Sequence, residues 1–365
     1  TPAVLDYILF TSRDRGGNEI ATVTAHINGD LFRLPAGAVA FAAGAVYRKE
    51  KGWRDPDPLT VLGVANTNQQ DPISGSSTAK EAYLELSVPV LANVPFFKAL
   101  TLDGAVRYSD YDLFGGDWNY KVSADWVITD DIRLRGTYGT GFRIPNVPEL
   151  FGGVSEGNLT TTDPCSRYST SGNATLIANC QASGVPANYV QLGTTILTTV
   201  GGNKNLKPES SRTWTIGTVI RPKGLVPGLS FTADWFDIDI KDAIRAIPGS
   251  TKLAVCYAST GLSHPFCSDF KRSTLTGEVV DLSAQPINTG REQMNGLDLG
   301  LVYDRNVGGI ALTVDLNLTY LNKYVVLPFP GGAPIQFDGH IGGGNGGYGK
   351  WRGHGGGTGP KDGFR

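Results

Sequence analysis

The sequence predicts an all-β fold, an antiparallel β-barrel whose strands cross a membrane. Three observations lead there. Long stretches alternate apolar and polar residues with a period of two. Aromatic residues stand at the ends of the apolar face, and short connections alternate along the chain with very long ones.

Strands are expected near 18–27, 38–49, 79–90, 99–109, 117–127, 132–140, 210–221, 229–239, 291–303 and 310–320. From Ile310 to Tyr320 every even position is large and apolar or aromatic, and the odd ones are Ala311, Thr313, Asp315, Asn317 and Thr319. Leu100 to Tyr108 alternates against Thr101, Asp103 and Arg107. Trp118, Tyr120, Val122, Ala124 and Trp126 alternate against Asn119, Lys121, Ser123 and Asp125. Leu297, Leu299, Leu301 and Tyr303 repeat the pattern against Asp298 and Gly300. Strands of about ten residues match a tilted crossing of a bilayer. Tyr108, Trp118, Trp126, Tyr303 and Tyr320 fall where interfacial girdles form.

Alternation alone also fits a soluble β-sandwich, and the loops separate the two. Segments 28–37, 91–98, 128–131, 222–228 and 304–309 are short. The opposite set, 50–78, 141–209, 240–290 and the tail after 320, is long, with only 110–116 brief. Short turns on one side and long loops on the other mark outer-membrane barrels. In a compact soluble domain, loops this long argue against the strand assignment. The polar alternate face then lines the lumen, where Asp103, Asp125, Asp234 and Asp298 can pair with Arg107, Lys121, Arg133 and Arg135. The tail is different: thirteen of the twenty-five residues from Gly339 to Gly363 are glycine, a density that predicts no strand.

Composition narrows the function. The 365 residues suffice for two ordinary domains or one large barrel, and a formal charge of −2 leaves no basic face for nucleic acid. No run approaches the roughly 18 apolar residues of a membrane helix, which leaves a barrel open. The chain opens at Thr1-Pro2-Ala3 without a signal peptide, so a mature chain or, preferably, a fragment is expected. Cys165 with Cys180 and Cys256 with Cys267 form two local pairs in polar loops, the pattern of disulfides made in an oxidising compartment. Cys256, His264 and Cys267 match no common zinc spacing. The four histidines are scattered, and no catalytic cluster or cofactor site is expected. Gly342-Gly343-Gly344-Asn345-Gly346-Gly347 satisfies a nucleotide-binding string by composition only, since more glycine follows where a helix is needed.

Two motifs carry more information. Gly141-Phe142-Arg143-Ile144-Pro145-Asn146-Val147-Pro148-Glu149-Leu150 ends a strand and opens the longest loop. Asn203-Lys204-Asn205-Leu206-Lys207-Pro208-Glu209 closes that loop. The pair, in this order, resembles the TonB-dependent receptors of the Gram-negative outer membrane. Gly29 to Gly37 with Gly44 to Glu50, Lys80 to Val90, Leu102 to Tyr111, Gly228 to Phe236 and Gly296 to Leu299 are similar to the same family, in the same order. The resemblance implies that residues 1–365 are part of a 22-stranded barrel, with a plug domain and TonB box outside this chain. It implies uptake of a scarce nutrient (glycan fragment, ferric siderophore or vitamin complex) across the outer membrane, without covalent chemistry. The implied partners are outer-membrane lipid, TonB with ExbB and ExbD, and a surface lipoprotein. Absence of dense chelating groups in the loops leans the cargo toward an oligosaccharide. A passive porin or adhesin barrel, and a secreted carbohydrate-binding sandwich, are the competing readings.

The resemblance marks Gly141, Phe142, Arg143, Pro145, Glu149, Leu150, Asn205, Leu206, Pro208 and Glu209 as family motif. By itself Arg143-Ile144-Pro145 reads as a loop entry, because Pro145 and Pro148 remove backbone donors and stop the ladder. Trp53, Tyr168, Tyr189 and Tyr257, aromatic residues in the long loops, are the candidate ligand contacts.

Overall fold

The computed structural model describes residues 4, 9–65, 67–288, 290–307, 310–329, 331–340 and 347–358. The chain builds β1 (Arg15–Leu34), β2 (Gly37–Asp55), β3 (Ile73–Val94), β4 (Phe97–Tyr111), β5 (Gly115–Val127) and β6 (Ile132–Arg143), with a single helical turn, α1 (Pro58–Val61), after β2. The next loop holds α2 (Val147–Phe151), β7 (Ser155–Thr160), α3 (Ala174–Ala182) and β8 (Thr195–Val200). It leads to β9 (Glu209–Ile220) and β10 (Leu229–Lys241). A second loop holds β11 (Ile244–Ala246), α4 (Gly249–Ala258), β12 (Phe270–Arg272), β13 (Val279–Ser283) and β14 (Pro286–Asn288). Then come β15 (Arg291–Val307), β16 (Ile310–Leu327), β17 (Ile335–Gln336) and β18 (Trp351–Thr358).

Twelve strands form one sheet in the order β1-β2-β3-β4-β5-β6-β9-β10-β15-β16, with β17 and β18 both pairing β16. All pairings in this wall are antiparallel. Register aligns the apolar residues across strands. Leu84, Val106 and Tyr120 are neighbours in one row, and Leu102, Ala124, Gly136 and Ile216 in another. Trp235, Leu297, Tyr320 and Trp351 continue the band. A one-residue slip would send this whole set to the other face, so the apolar band fixes the register.

The other face is polar and internally paired. Arg135 forks onto Asp234 at 2.7 and 2.7 Å, and Arg133 forks onto Asp125. Asp103 accepts the hydroxyls of Ser87 (2.7 Å) and Ser123 (3.0 Å), and Asp298 that of Thr319 (2.7 Å). Short charge-assisted bonds of this kind keep buried or lumen-facing charges satisfied.

Two expectations need correcting. Most strands run well past the predicted limits, to 22 residues in β3, and the turns expected at 28–37 and 91–98 shrink to the two residues between β1 and β2 and between β3 and β4. The apolar signal marks only the alternating stretch of a strand; the polar extension at Glu50 and Lys51, past the expected limit, pairs equally well through the backbone. The glycine-rich tail does form a strand. β18 pairs Trp351 with Tyr320 through to Thr358 with Thr313. Backbone amides suffice for pairing beside a long template, and the side chains of Leu318 and Leu316 lie across Gly353 and Gly355, where a Cβ would collide with them. Residues 341–346 and 359–363 of the tail lie outside the described residues.

Candidate functional site

The two family motifs, about sixty residues apart, meet at the end of the wall that carries the long loops. Pro145 is fully buried where the ladder stops. Asn146 then caps α2: its Oδ1 accepts the Glu149 N–H at 2.8 Å, and Glu149 Oε2 accepts the Asn146 N–H at 2.8 Å. This reciprocal box makes a helix of only five residues tenable. Arg143 lies between two carboxylates. Its Nη1 donates to Glu149 at 2.9 Å, and its Nε and Nη2 donate to Glu209 at 2.8 Å each. Glu209 also accepts the backbone N–H of Ile244 at 2.6 Å, which ties in the second long loop. Beneath this clasp Leu150, Leu206 and Ile244 form a buried cluster flanked by Phe114 and Phe151.

The remaining motif residues support the clasp. Asn203 donates its N–H to Glu149 O (2.7 Å) and its amide to Pro286 O (2.9 Å), and Asn205 N–H caps Asn203 Oδ1 (2.9 Å). Gly141 O accepts Ser211 Oγ at 3.2 Å, and Phe142 meets Tyr111 edge-on at 5.6 Å. Pro208 is half-buried. Register puts Gly52 and Gly75 on the polar face of β2 and β3, and α2 lies against them, with Val147 over Gly52 and Phe151 over Gly75. The loop therefore folds inward over the mouth. A side chain at position 75 would run into the Phe151 ring. Gly75→Leu is expected to lift α2 at a cost of about 1–3 kcal/mol, seen as faster proteolysis of the 141–209 loop with the wall unaffected.

Beyond the clasp the two loops fold together into a cap. Strands β12, β13, β8 and β7 make a four-stranded sheet, with β13 parallel to β8. Cys165 is bonded to Cys180 and Cys256 to Cys267. The core includes both Cys165 and Cys180 with Tyr168, Val185, Tyr189, Ile196, Leu253, Tyr257 and Leu282. At its centre Arg272 forks onto Asp163 at 2.7 and 2.8 Å, donates to Tyr257 OH at 2.6 Å, and stacks 5.0 Å from that ring. Burial works against the Arg272 charge, yet Asp163 and Tyr257 outweigh it and hold its pKa above the ordinary arginine value. Lys252 is also buried, donating to Ser283 O at 2.7 Å and pairing with Asp269 at 2.8 Å.

Three of the candidate ligand contacts lie in this core. Tyr168, Tyr189 and Tyr257 are 1%, 6% and 1% exposed, so they pack the cap. Trp53 lies in β2, outside any loop, on the outward face against Gly17. The signal for a cap core was present: Leu253, Cys256 and Tyr257 follow helical i, i+3, i+4 spacing beside a cysteine. Burial, with Asp163 beside the hydroxyl, pushes the Tyr189 phenol above its ordinary value of 10.0. Below pH 10 the group is protonated in folded and unfolded caps alike. Above it the unfolded cap releases the proton more readily, so cap stability falls as pH rises. Alkaline loss of the cap, followed by near-ultraviolet circular dichroism, is expected to start later in Tyr189→Phe.

Among the described residues no group of three His, Cys, Asp or Glu is arranged to hold a metal. Among the described residues no helix is long and apolar enough to cross a membrane, which says nothing of strands. Comparison with solved structures shows the fold. A mutant ferric enterobactin receptor, PfeA of Pseudomonas aeruginosa in complex with enterobactin, superposes with a TM-score of 0.54 at 18% identity, covering 84% of this chain and 36% of that one. The siderophore receptor PirA of Acinetobacter baumannii gives 0.51 at 17%, covering 86% and 38%. A double mutant of the Serratia marcescens hemophore receptor HasR, in complex with its hemophore HasA and heme, gives 0.51 at 15%, covering 88% and 44%. The chain thus spans less than half the length of each. The family model described as "TonB dependent receptor-like, beta-barrel" matches residues 4–361, almost the whole chain. With a lipid-patterned wall, short turns at one end and a clasped cap at the other, the chain belongs to the β-barrel family of TonB-dependent receptors.

Proposed function

We propose that this chain is the barrel portion of an outer-membrane receptor that takes up a scarce nutrient by energy-coupled transport. The observation that carries the reading is the asymmetry of the wall. One end carries short connections, two residues between β1 and β2 and between β3 and β4, four between β5 and β6 and eight between β9 and β10, and the other bears two long loops folded into a stapled cap and clasped over the mouth through Arg143. A passive pore needs no such structure at its entrance. In this reading the cap faces the exterior of a Gram-negative cell, the apolar band meets outer-membrane lipid, and TonB with ExbB and ExbD acts through a plug. A surface lipoprotein partner is part of the same family-based proposal.

Ferric siderophores head the cargo to test, because receptors for them share the fold. An oligosaccharide, toward which the loop composition leaned, and a vitamin complex are tested beside them. Deleting the gene should abolish uptake of one of these labelled ligands by energised cells, and a protonophore should reproduce that loss in the wild type. Uptake that persists after the proton gradient collapses would identify a passive porin instead.

A further inference from the structure

The ladder between β5 and β6 stops short. The two strands pair from Val127 with Arg133 up to Lys121 with Gly139, although β5 begins at Gly115 and β6 ends at Arg143. Each stays paired to its other neighbour over that stretch, β5 to β4 as far as Gly115 with Tyr111 and β6 to β9 as far as Arg143 with Glu209. A seam is left in the wall toward the cap, and side chains close its edges. Thr140 Oγ1 accepts the Tyr120 N–H at 3.1 Å, and the Asp117 carboxylate accepts the Trp118 N–H at 2.7 Å. Edge donors satisfied in this way need no partner strand.

Two recesses meet at the seam. One, about 280 Å³, lies on the inward side among Tyr83, Glu85, Ala105, Arg107 and Lys121. The other, about 270 Å³, lies on the outward side among Tyr138, Arg212 and Asp239, and Asn119, Tyr120 and Thr140 line both. Around the outward recess Asp117, Asp237 and Asp239 balance Arg212, Lys241 and Arg291, so the approach favours neither sign of charge. The inward recess adjoins a further one of about 300 Å³ and shares Glu85, Ala105 and Lys121 with it. Register sets Glu85 opposite Ala105 and Ala105 opposite Lys121, in one inward row. The two charged residues therefore stand roughly 10 Å apart at the backbone, two strand spacings, with only a methyl between them. Both are exposed, and among the described residues neither side chain has an ion pair or a hydrogen bond. Their charged neighbours are already taken: Arg107 bonds to Glu81, and Asp103 accepts Ser87 and Ser123.

We propose that the seam is a side entrance for small zwitterions, such as a free amino acid, which Glu85 and Lys121 bind over Ala105. The ammonium goes to Glu85 and the carboxylate to Lys121. Both side chains lean in from their strands, and each end closes with a charge-assisted hydrogen bond of about 2.8 Å. A lone anion or a lone cation would satisfy one of the two groups and leave the other unpaired. The balanced lining of the outward recess lets a molecule of zero net charge through without holding it there. The proposal rests on the membrane-barrel reading and asks nothing of energy-coupled uptake.

The test uses the full-length protein purified from outer membranes in mild detergent, with radiolabelled glycine in equilibrium dialysis. The wild type should bind one glycine, and unlabelled acetate or ethylamine at the same concentration should fail to displace it. Glu85→Gln and Lys121→Gln should each weaken binding about tenfold or more. Exchanging the charges, Glu85→Lys with Lys121→Glu, should restore it, because a zwitterion can turn round; a pair with a merely structural role gives no such rescue. Thr140→Trp, which fills the seam, should slow release of the label severalfold and leave the affinity unchanged. Heat-modifiable migration on gels confirms that each variant is folded. Absence of binding by the wild type, or equal binding by both glutamine variants, would overturn the site. Displacement by acetate or ethylamine would overturn the zwitterion as its ligand, and unchanged release from Thr140→Trp would overturn the seam as its entrance. No proton gradient is present, so the outcome is independent of whether uptake is energy-coupled. Recovery of the protein without detergent would overturn the barrel reading together with the site.

Discussion

Replacing all four cysteines with serine is expected to melt the cap and leave the wall folded. The staples close sequence separations of 15 and 11 residues. Loops of that length constrain the unfolded chain by about 3 kcal/mol each. Together they approach the whole stability of an ordinary domain, roughly 5–15 kcal/mol. Their placement adds to this. Cys165 and Cys180 are themselves part of the cap core, and Cys256 anchors α4 beside Tyr257 and Leu253. Once the cap loosens, Arg272 and Asp163 lose the shelter that makes their fork strong, so loss should be cooperative. Trypsin digestion read by mass spectrometry should show new cleavage confined to 160–205 and 246–288, with heat-modifiable migration of the barrel unchanged. Reductant on the wild type should give the same map. An unchanged map would mean that the rest of the apolar core holds the cap without its staples.

The wall was legible in the sequence because each strand states its own orientation. Ile310 to Tyr320 alternates so strictly that strand and face follow from it. The strand ends were not legible, because Glu50 to Lys51 and Ser74 to Thr78 pair through backbone amides and carry no apolar signal. For the same reason β18 went unseen: its glycines pair with β16 whatever their propensity. The cap shows the opposite failure. Tyr168, Tyr189 and Tyr257 looked like contacts because an aromatic residue in a long loop has the same sequence signature whether it packs inward or faces a ligand. The motif at Arg143 was visible as a chain break at Pro145 and Pro148. That Glu149 and Glu209 share one guanidinium was not, since a single sequence holds no record of which residues meet across such a separation.

Arg143→Leu is expected to release the cap from the wall while both remain folded. The substitution removes every bond from Arg143 to Glu149 and Glu209 and leaves two carboxylates facing each other. Glu209 is 15% exposed and keeps only the Ile244 N–H, whereas Glu149 keeps the Asn146 N–H. Removing one member of a buried pair costs about 3–5 kcal/mol. Arginine here is 45% exposed, so the cost should be nearer about 2–3 kcal/mol. Arg143→Lys should recover only part of it, because an ammonium cannot fork onto two carboxylates. Glu209→Gln in the Arg143→Leu background removes the uncompensated charge but keeps the acceptor for Ile244, so the double variant should be more stable than the single, with a coupling above about 1 kcal/mol. The readout is hydrogen exchange at Ile244 and at Asn203, whose N–H groups close the clasp. Protection that survives in Arg143→Leu would assign the hold to the Leu150, Leu206 and Ile244 cluster instead, and the ion pairs would then serve only to orient the loop ends.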